Sequence, residues 1–335
     1  MKPILSVVVA SYNVEEYLDK CLSSFSDERF NDILQVIVVN DGSTDSTADI
    51  AKKYEDKFPR IFDVINKENG GHGSAVNAGV DNAKGKYFRI VDGDDWINTE
   101  DFYKLLCALK DTDSDLVVDQ KREVNKETGE TKFFKTPNCV EYKKEYEFKN
   151  ICNIFELSPY IMIHTLSVKT SILKENKIKL LEHIFYVDIE FIIKSTVNAK
   201  TIEFLDLEIY QYLVGNADQS VNYKNYVKRF SHHSKVTREL IDFATNFKGD
   251  EKIVEYLKIR IKLLINTHMT IALIYNENRK EGLKQAKEFR EYLKGKNKYL
   301  YMTTKKRYLM TLMLHFLGID FNKLEKLKGI LNAWS

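Results

Sequence analysis

Few features of this sequence would interrupt regular structure or cross-link it. Its 335 residues include only 4 prolines and 14 glycines, so long disordered linkers are not expected. The 4 cysteines lie far apart with no Cys-x-x-Cys pair, which argues against a zinc site or a disulfide framework and favours reduced thiols. No apolar run approaches the roughly 20 residues that span a bilayer, and no signal peptide is recognisable. These absences predict a cytoplasmic protein that is soluble or peripheral to a membrane.

An overall excess of one charge is also missing, but charge is unevenly distributed. The formal net charge is only +2. From residue 222 to the end, 24 Lys and Arg stand against 11 Asp and Glu, a net of +13, and the preceding part carries −11. A basic C-terminal third suits an anionic surface, although a solvated helical face that balances the acidic part explains it equally well.

The first ~120 residues alternate between strand and helix patterns. Nearly continuous apolar runs predict strands over 4–10, 33–39, 61–65, 87–91 and 115–118, and helical spacing predicts helices over 15–25, 45–58, 74–83 and 99–109. Short loops between alternating strands and helices indicate an α/β fold, with a mainly parallel sheet flanked by helices.

The pattern changes after residue 121. A polar hairpin is predicted over 123–135, short helices and strands over about 140–200, and one or two strands over 202–213. From 222 onward the spacing is helical, with breaks near Gly249, Gly295 and Gly318. We expect a boundary near 220, between domain 1–220 and a helical C-terminal region, 221–335.

Three carboxylates follow the predicted strand 87–91 within four residues: Asp92, Asp94 and Asp95. Such a cluster is unfavourable unless a cation or several donors neutralise it. The carboxyl ends of strands in α/β sheets are also where ligands bind. Carboxylate oxygens suit Mg²⁺ or Mn²⁺, which bind through one or two carboxylates together with substrate phosphates. The cluster therefore predicts a metal–diphosphate site.

Other polar segments end on the same sheet edge. Tyr12 follows the first strand and could stack on a nucleobase, and Asp41 follows the second and could accept from a base N–H. An Asx turn at Asp41 is the alternative. The glycines of residues 69–79 allow close approach of a ligand, and a helix beginning there favours anions, although the G-x-G-x-x-G spacing is absent.

Four segments in this order, SVVVASYN (6–13), VNDGSTD (39–45), residues 69–79 and DGDDW (92–96), resemble the motifs of family 2 glycosyltransferases. That family comprises inverting enzymes of the GT-A (Rossmann-like) fold that use nucleotide-diphosphate sugars. The resemblance is strong over about residues 3–110 and weaker over about 160–220. It implies that residues 1–120 form a nucleotide-binding half and residues 121–220 an acceptor half.

The resemblance also implies roles for particular residues. Tyr12 and Asp41 would hold the uracil of a UDP-sugar. The nucleotide site as a whole would comprise Ser11, Tyr12, Asp41, His72, Asn77, Asp92 and Asp95. A metal ion, Mn²⁺ or Mg²⁺, would be bound by Asp94, the favoured ligand, and by Asp92.

Inversion by direct displacement needs a general base that takes the proton of the attacking hydroxyl. In the family this is an Asp in the pattern Tyr-Glu-Asp-x-x-Phe, and this chain has YVDIEF at 186–191. Asp188 fits the base, with Glu190 as the fallback. Val187 replaces the usual Glu, which leaves the register open, and Asp188 could instead simply favour the start of a helix.

The implied reaction is transfer of a hexosyl group to a saccharide, either lipid-linked or on a glycoprotein glycan, in capsule, exopolysaccharide or other surface-glycan synthesis. No nucleic-acid partner is expected, and a homo-oligomer stays open. A nucleotidyltransferase should carry a Gly-rich basic loop after the first strand, which residues 10–14 lack. An inactive sugar-nucleotide-binding protein is the other alternative, with Val187 as its only hint.

Three further features are less specific. Residues 210–212 with Gln219 and Ser220 resemble a segment that could close over the diphosphate, but an edge strand explains them nearly as well. His164 and His183 are expected to be structural or surface residues. Lys305, Lys306 and Arg307 precede an almost wholly apolar helix, which predicts either a membrane-surface helix or, as the more usual case, a helix buried in its own bundle or against a partner.

Overall fold

The computed structural model describes residues 2–215 and 223–326. Contacts divide the chain into two compact units, residues 1–216 and 217–335. The division lies close to the boundary expected near residue 220. In the described part of the chain, no helix combines the length and the hydropathy needed to cross a bilayer.

The first unit is built on a mixed, mainly parallel sheet with flanking helices, as the α/β, GT-A-like prediction requires. Its strands run β3-β2-β1-β4-β9-β6-β10-β5, with β7 beside β6 and β8 beside β10. Their bounds are β1 Leu5–Ser11, β2 Leu34–Asp41, β3 Phe62–Lys67, β4 Tyr87–Asp92, β5 Trp96–Ile97, β6 Leu116–Asn125, β7 Thr131–Phe134, β8 Glu145–Glu147, β9 Leu166–Lys169 and β10 Thr201–Val214.

Helices connect and cover these strands. Their bounds are α1 Glu15–Ser23, α2 Thr47–Lys57, α3 His72–Asn82, α4 Thr99–Asp111, α5 Phe148–Ile151, α6 Thr170–Glu175 and α7 Val187–Thr196. Strands β1 and β2 are buried along almost their whole length, which accounts for their continuous apolar runs. The predicted hairpin is confirmed, since β6 and β7 pair antiparallel from Lys121↔Phe134 to Val124↔Thr131.

Parallel register brings three polar strand ends together. β1 pairs with β2 up to Ser11↔Asn40 and with β4 up to Ala10↔Asp92. Asp41, the last residue of β2, follows Asn40 and lies two residues further along the strands than Asp92. Because all three strands run in one direction, their carboxyl ends form a single edge, where ligands of such sheets bind.

The second unit is helical, as expected. Its helices are α8 Tyr223–Lys228, α9 Phe230–Asn246, α10 Glu251–Thr270, α11 Arg279–Lys296, α12 Lys298–Thr303 and α13 Lys305–Phe316, with a π-helical turn, Ile271–Tyr275, after α10. The breaks expected near Gly249, Gly295 and Gly318 are confirmed: Gly249 and Gly318 lie outside the helices, and α11 ends at Lys296, one residue after Gly295. An unpredicted break precedes α11, where the Asn278 side chain accepts from the Glu281 N–H over 3.2 Å as an N-cap.

Candidate functional site

A cavity of about 410 Å³ opens at the edge where β1 and β2 end. Four residues of the predicted nucleotide site line it: Ser11, Tyr12, Asp41 and His72. Tyr12 is 52% exposed, so the face of its ring is available for stacking. The opposite wall comes from residues 183–185, far along the chain. The cavity is lined by aromatic and polar groups of the kind that bind a nucleoside.

The buried Asp41 carboxylate holds the glycine loop at the mouth of this cavity. Its Oδ1 accepts from Lys67 Nζ (2.7 Å) and from the Gly70 N–H (3.0 Å), and Oδ2 accepts from the Gly71 N–H (2.7 Å). Gly71 has φ +81°, a conformation that favours glycine. Each carboxylate oxygen can accept two hydrogen bonds, so Oδ2 retains capacity for one N–H from a ligand.

Asp92 lies between two imidazoles. His72 Nε2 donates to Oδ1 over 3.0 Å, and His164 Nε2 lies 3.5 Å from Oδ2. Burial alone would raise the pKa of Asp92, but the hydrogen bonds from His164 and His72 outweigh burial and lower that pKa well below its usual range. Burial alone would lower the pKa of His72, but the hydrogen bond to Asp92 and the charge of Asp92 raise that pKa to about 9. His72 is therefore an imidazolium near neutral pH.

Too few positively charged groups lie near the other two carboxylates of the motif, Asp94 and Asp95, to offset their burial and mutual repulsion. Burial and then the charge of Asp92 raise the pKa of Asp94 to about 6. Burial, followed by the charges of Asp94 and Asp92, raises the pKa of Asp95 well above its usual value. Asp95 Oδ2 accepts from Tyr210 Oη (2.6 Å) and Oδ1 from the Leu213 N–H (2.7 Å). The two imidazoles thus leave negative charge that a divalent cation would neutralise.

A possible donor set for such a cation is present. Asp92, Asp95 and His164 each offer one ligand atom, and these atoms lie within 4.8 Å of one another. Carboxylate oxygens with an imidazole fit a divalent ion such as Mn²⁺. Asp94, the ligand favoured from the sequence, does not join this group in the described residues. It lines a second cavity of about 350 Å³ together with Lys20 and Trp96.

His164 was expected to be structural, and its position depends on strand pairing. β9 runs antiparallel to β4, with Tyr87 opposite Lys169 and Phe88 opposite Val168. His164 lies in a 3₁₀ turn, Ile163–Thr165, directly before β9, and this turn brings its ring to Asp92. No local motif around His164 signals this contact, because it depends on where one short strand far along the chain enters the sheet.

Asn77 lies outside the cavity lining and bonds with a segment far along the chain. Its Nδ2 donates to the Leu180 carbonyl (3.0 Å) and to Glu182 Oε1 (3.2 Å), and its Oδ1 accepts from the Leu180 N–H (2.9 Å). Asn77 is buried and does not line the cavity. A Cβ on Gly73 would lie 2.1 Å from the Leu181 carbonyl oxygen, so only glycine permits this approach. Asn77 therefore fastens α3 to residues 180–182.

The predicted base and its fallback lie in opposite environments. Asp188, in the first turn of α7, is exposed. Its charge is among those that raise the pKa values of His72 and Tyr212, although burial is the largest influence on both groups. Glu190 is fully buried, and its oxygens accept from Lys194 Nζ (2.6 Å) and the Leu181 N–H (3.1 Å). Only Asp188 is free to meet a substrate.

Val187, the departure from the family pattern, is buried in the core. The substitution therefore keeps the register in which Asp188 faces solvent and Glu190 faces inward. Tyr210, assigned from the sequence to a closing segment, instead supports the acidic cluster: its hydroxyl donates to Asp95 and accepts from the Asp92 N–H over 3.2 Å. Gln219 and Ser220 lie outside the described residues.

Comparisons with known proteins agree with this geometry. The glycosyltransferase GlyA of Streptococcus pneumoniae is 33% identical over 163 residues, which is 48% of this chain but only 23% of that longer protein. A crystal structure of Staphylococcus aureus TarS residues 1–349 in complex with UDP-GlcNAc matches with a TM-score of 0.69 at 20% identity, over 96% of this chain and 93% of that one. TarS is named a poly(ribitol-phosphate) β-N-acetylglucosaminyltransferase.

A third similar protein is the mannosyltransferase PcManGT of Pyrobaculum calidifontis in complex with GDP-Man and Mn²⁺. Its TM-score is 0.52 at 14% identity, over 94% of this chain and 88% of that one. At these identities the two structures show a common fold. The family model "Glycosyl transferase family 2" matches residues 6–176, about half of the chain, and includes the carboxyl ends of β1, β2 and β4. The chain therefore belongs to glycosyl transferase family 2.

Proposed function

We propose that this protein transfers a sugar from a UDP-sugar to a hydroxyl group of a saccharide acceptor, with inversion at the anomeric carbon. The observation that carries this proposal is that the site contains both an exposed carboxylate, Asp188, and a separate acidic cluster at the sheet edge. Both act electrostatically on His72, which lines the nucleotide cavity. Direct displacement requires such a base on one side of the sugar and charge stabilisation for the leaving group on the other.

The cavity at the ends of β1 and β2 would bind the nucleoside. Tyr12 would stack on the base, and the remaining acceptor position of Asp41 Oδ2 would take a base N–H. Ser11 lies beside them in the lining. The complex of TarS with UDP-GlcNAc supports UDP as the nucleotide.

The departing diphosphate would lie at the acidic cluster. Asp92 belongs to both candidate ligand sets for Mn²⁺ or Mg²⁺, completed by Asp95 and His164 from the geometry or by Asp94 from the motif. The ion would supply Lewis-acid stabilisation of the negative charge on the leaving nucleoside diphosphate. The His72 imidazolium adds positive charge on the nucleotide side. The Mn²⁺ in the PcManGT complex supports a metal-dependent reaction.

In the transfer step, the acceptor oxygen forms a bond to the anomeric carbon while the bond from that carbon to the diphosphate breaks. Asp188 takes the hydroxyl proton, and UDP leaves with the electron pair of the broken bond. The acceptor would be a lipid-linked saccharide or a glycoprotein glycan in cytoplasmic synthesis of a surface glycan. The polymeric acceptor in the name of TarS supports a polyhydroxylated substrate.

The test measures UDP release from a panel of nucleotide sugars with Mn²⁺, for the wild type and for Asp188→Asn. Loss of a general base lowers the rate by about 10²- to 10⁴-fold, so Asp188→Asn should lose transfer while it still binds UDP. Glu175→Gln, which changes another exposed carboxylate, should keep wild-type activity. A wild type that binds UDP but releases none from any donor would show an inactive binding protein instead.

A further inference from the structure

The exposed apolar side chains of this protein are concentrated in one place. Of the twelve large apolar residues that are exposed in the described part of the chain, seven lie within 299–317: Tyr299, Met302, Leu309, Met310, Met313, Phe316 and Leu317. Phe316 and Leu317 are 70% and 67% exposed. Contiguous apolar surface of this kind marks an interaction site.

Helix α13 presents most of this surface on one side. Leu309, Met313 and Phe316 follow the spacing i, i+4, i+7, and Met310 and Leu317 adjoin them at the same period. We call these five residues the outer face of α13. The inner side is held by polar groups: Thr311 and His315 are buried, and His315 Nδ1 donates to the Leu273 carbonyl over 2.7 Å. A surface helix normally buries its apolar stripe, so here the usual arrangement is reversed.

Basic residues flank the outer face. Lys305, Lys306 and Arg307 form the first turn of α13 and are exposed, and none of them pairs with an acidic side chain in the described residues. Residues 222–335 carry a net charge of +13. An outward apolar stripe next to unpaired cations matches the surface of an anionic bilayer. There the apolar side chains can contact acyl chains while the cations contact the anionic headgroups.

We propose that the outer face of α13 docks on an anionic lipid bilayer, with its apolar side chains at the boundary between headgroups and acyl chains and with Lys305, Lys306 and Arg307 among the phosphates. A second copy of this chain fits less well, because face-to-face pairing would bring two unneutralised basic clusters together. The five exposed residues do not fit burial of this helix in its own bundle, and burial against a partner is one of the outcomes of the test below. The inference does not depend on the transfer reaction.

The test is flotation of the full chain with vesicles of phosphatidylcholine alone or mixed with phosphatidylglycerol, at low and high salt. The wild type should float only with the mixed vesicles, and less at high salt because the phosphate contacts are screened. Met313→Glu/Phe316→Glu should abolish flotation. Lys305→Glu/Lys306→Glu should weaken binding by at least about 10-fold, since each basic residue near the surface contributes about a factor of five.

Matched controls separate this surface from general effects. Leu263→Glu changes an apolar residue of comparable exposure on α10, and Lys284→Glu/Lys287→Glu changes exposed cations on α11; both should bind as the wild type does. UDP release in solution should be unchanged in all variants. Flotation that survives Met313→Glu/Phe316→Glu would refute the proposal. So would a wild type that does not float but elutes as a dimer that Phe316→Glu dissociates, which would identify a self-association surface.

Discussion

The histidine pair of the first unit, His72 and His164, lies against the carboxylate of Asp92, whereas His233 and His268 of the second unit lie against each other and against aromatic rings. His233 Nδ1 and His268 Nδ1 are 3.1 Å apart, and the His268 ring stacks 4.5 Å from that of Phe230. Burial lowers the pKa of His233 to about 4 and that of His268 well below its usual value.

The difference shows which neighbour decides the charge of a buried imidazole. Burial opposes protonation in both places, and a carboxylate overcomes it for His72. No such anion meets His268, on which burial and then the charges of His233 and Arg238 act in the same direction. One pair is thus suited to anionic ligands and the other to packing in a helical core.

Replacing Asp92 should remove the main cause of the difference in pKa between His72 and the buried histidines of the second unit. Asp92→Asn removes the strongest influence that raises the pKa of His72 and leaves the smaller effects of Asp188 and Asp94, so this pKa should fall clearly from about 9, as measured by NMR titration. UDP release should fall by more than about 100-fold, because even the outer partners of metal ligands contribute about 10- to 100-fold. Glu68→Gln, at an exposed site, serves as control. A His72 that stays charged would show that Asp92 is not its main partner.

The second pair should make the fold sensitive to acid. His233 has an ordinary pKa of 6.5 and a folded value of about 4, so the unfolded chain binds the proton first as pH falls. Above pH 6.5 the free energy of unfolding contains the full contribution of this group. Between about pH 6.5 and pH 4 the free energy of unfolding falls by about 3 kcal/mol for this one group. Urea unfolding across this range should show a smaller loss in His233→Gln than in the wild type or in His232→Gln. Equal losses would contradict the assignment.

Replacing His164 tests whether the first pair also serves a metal. His164→Gln should weaken Mn²⁺ binding by about 10-fold, the lower end for a residue at a metal site, and should leave metal-free UDP binding unchanged. Calorimetric titration of Mn²⁺ into His164→Gln, Asp94→Asn and His232→Gln compares the two ligand sets. If Asp94→Asn alone weakens Mn²⁺ binding, the result favours Asp94, the ligand expected from the motif, over His164, which the geometry adds.

Contacts that follow from parallel strands in sequence order were predictable. Ser11, Asp41 and Asp92 end three such strands, so their common edge could be inferred from the sequence alone. His164 could not be found this way, because it reaches Asp92 from the 3₁₀ turn before an antiparallel strand far along the chain. The bonds between Asn77 and residues 180–182 were equally unpredictable, because those partners lie about a hundred residues away, where no local pattern points to them.

The helical unit shows a different limit. Its helices were expected from spacing, but the break before α11 is set by Asn278 as a cap and not by a glycine. The sequence left a buried and an outward apolar face of α13 both open, because spacing identifies a stripe without saying on which side the neighbouring helices lie. That side is decided by polar contacts such as the one from His315 to the Leu273 carbonyl.

The attachment of residues 180–182 to α3 has a consequence for how this protein can change. The same short stretch that Asn77 fastens continues through His183 and Phe185, which line the cavity at the ends of β1 and β2, and then reaches Asp188. If this cavity and Asp188 have the roles proposed above, choice of donor and placement of the proton acceptor are set by one continuous piece of backbone. A substitution that reshapes the cavity would then also displace Asp188, so donor preference and turnover rate should change together in variants of this segment.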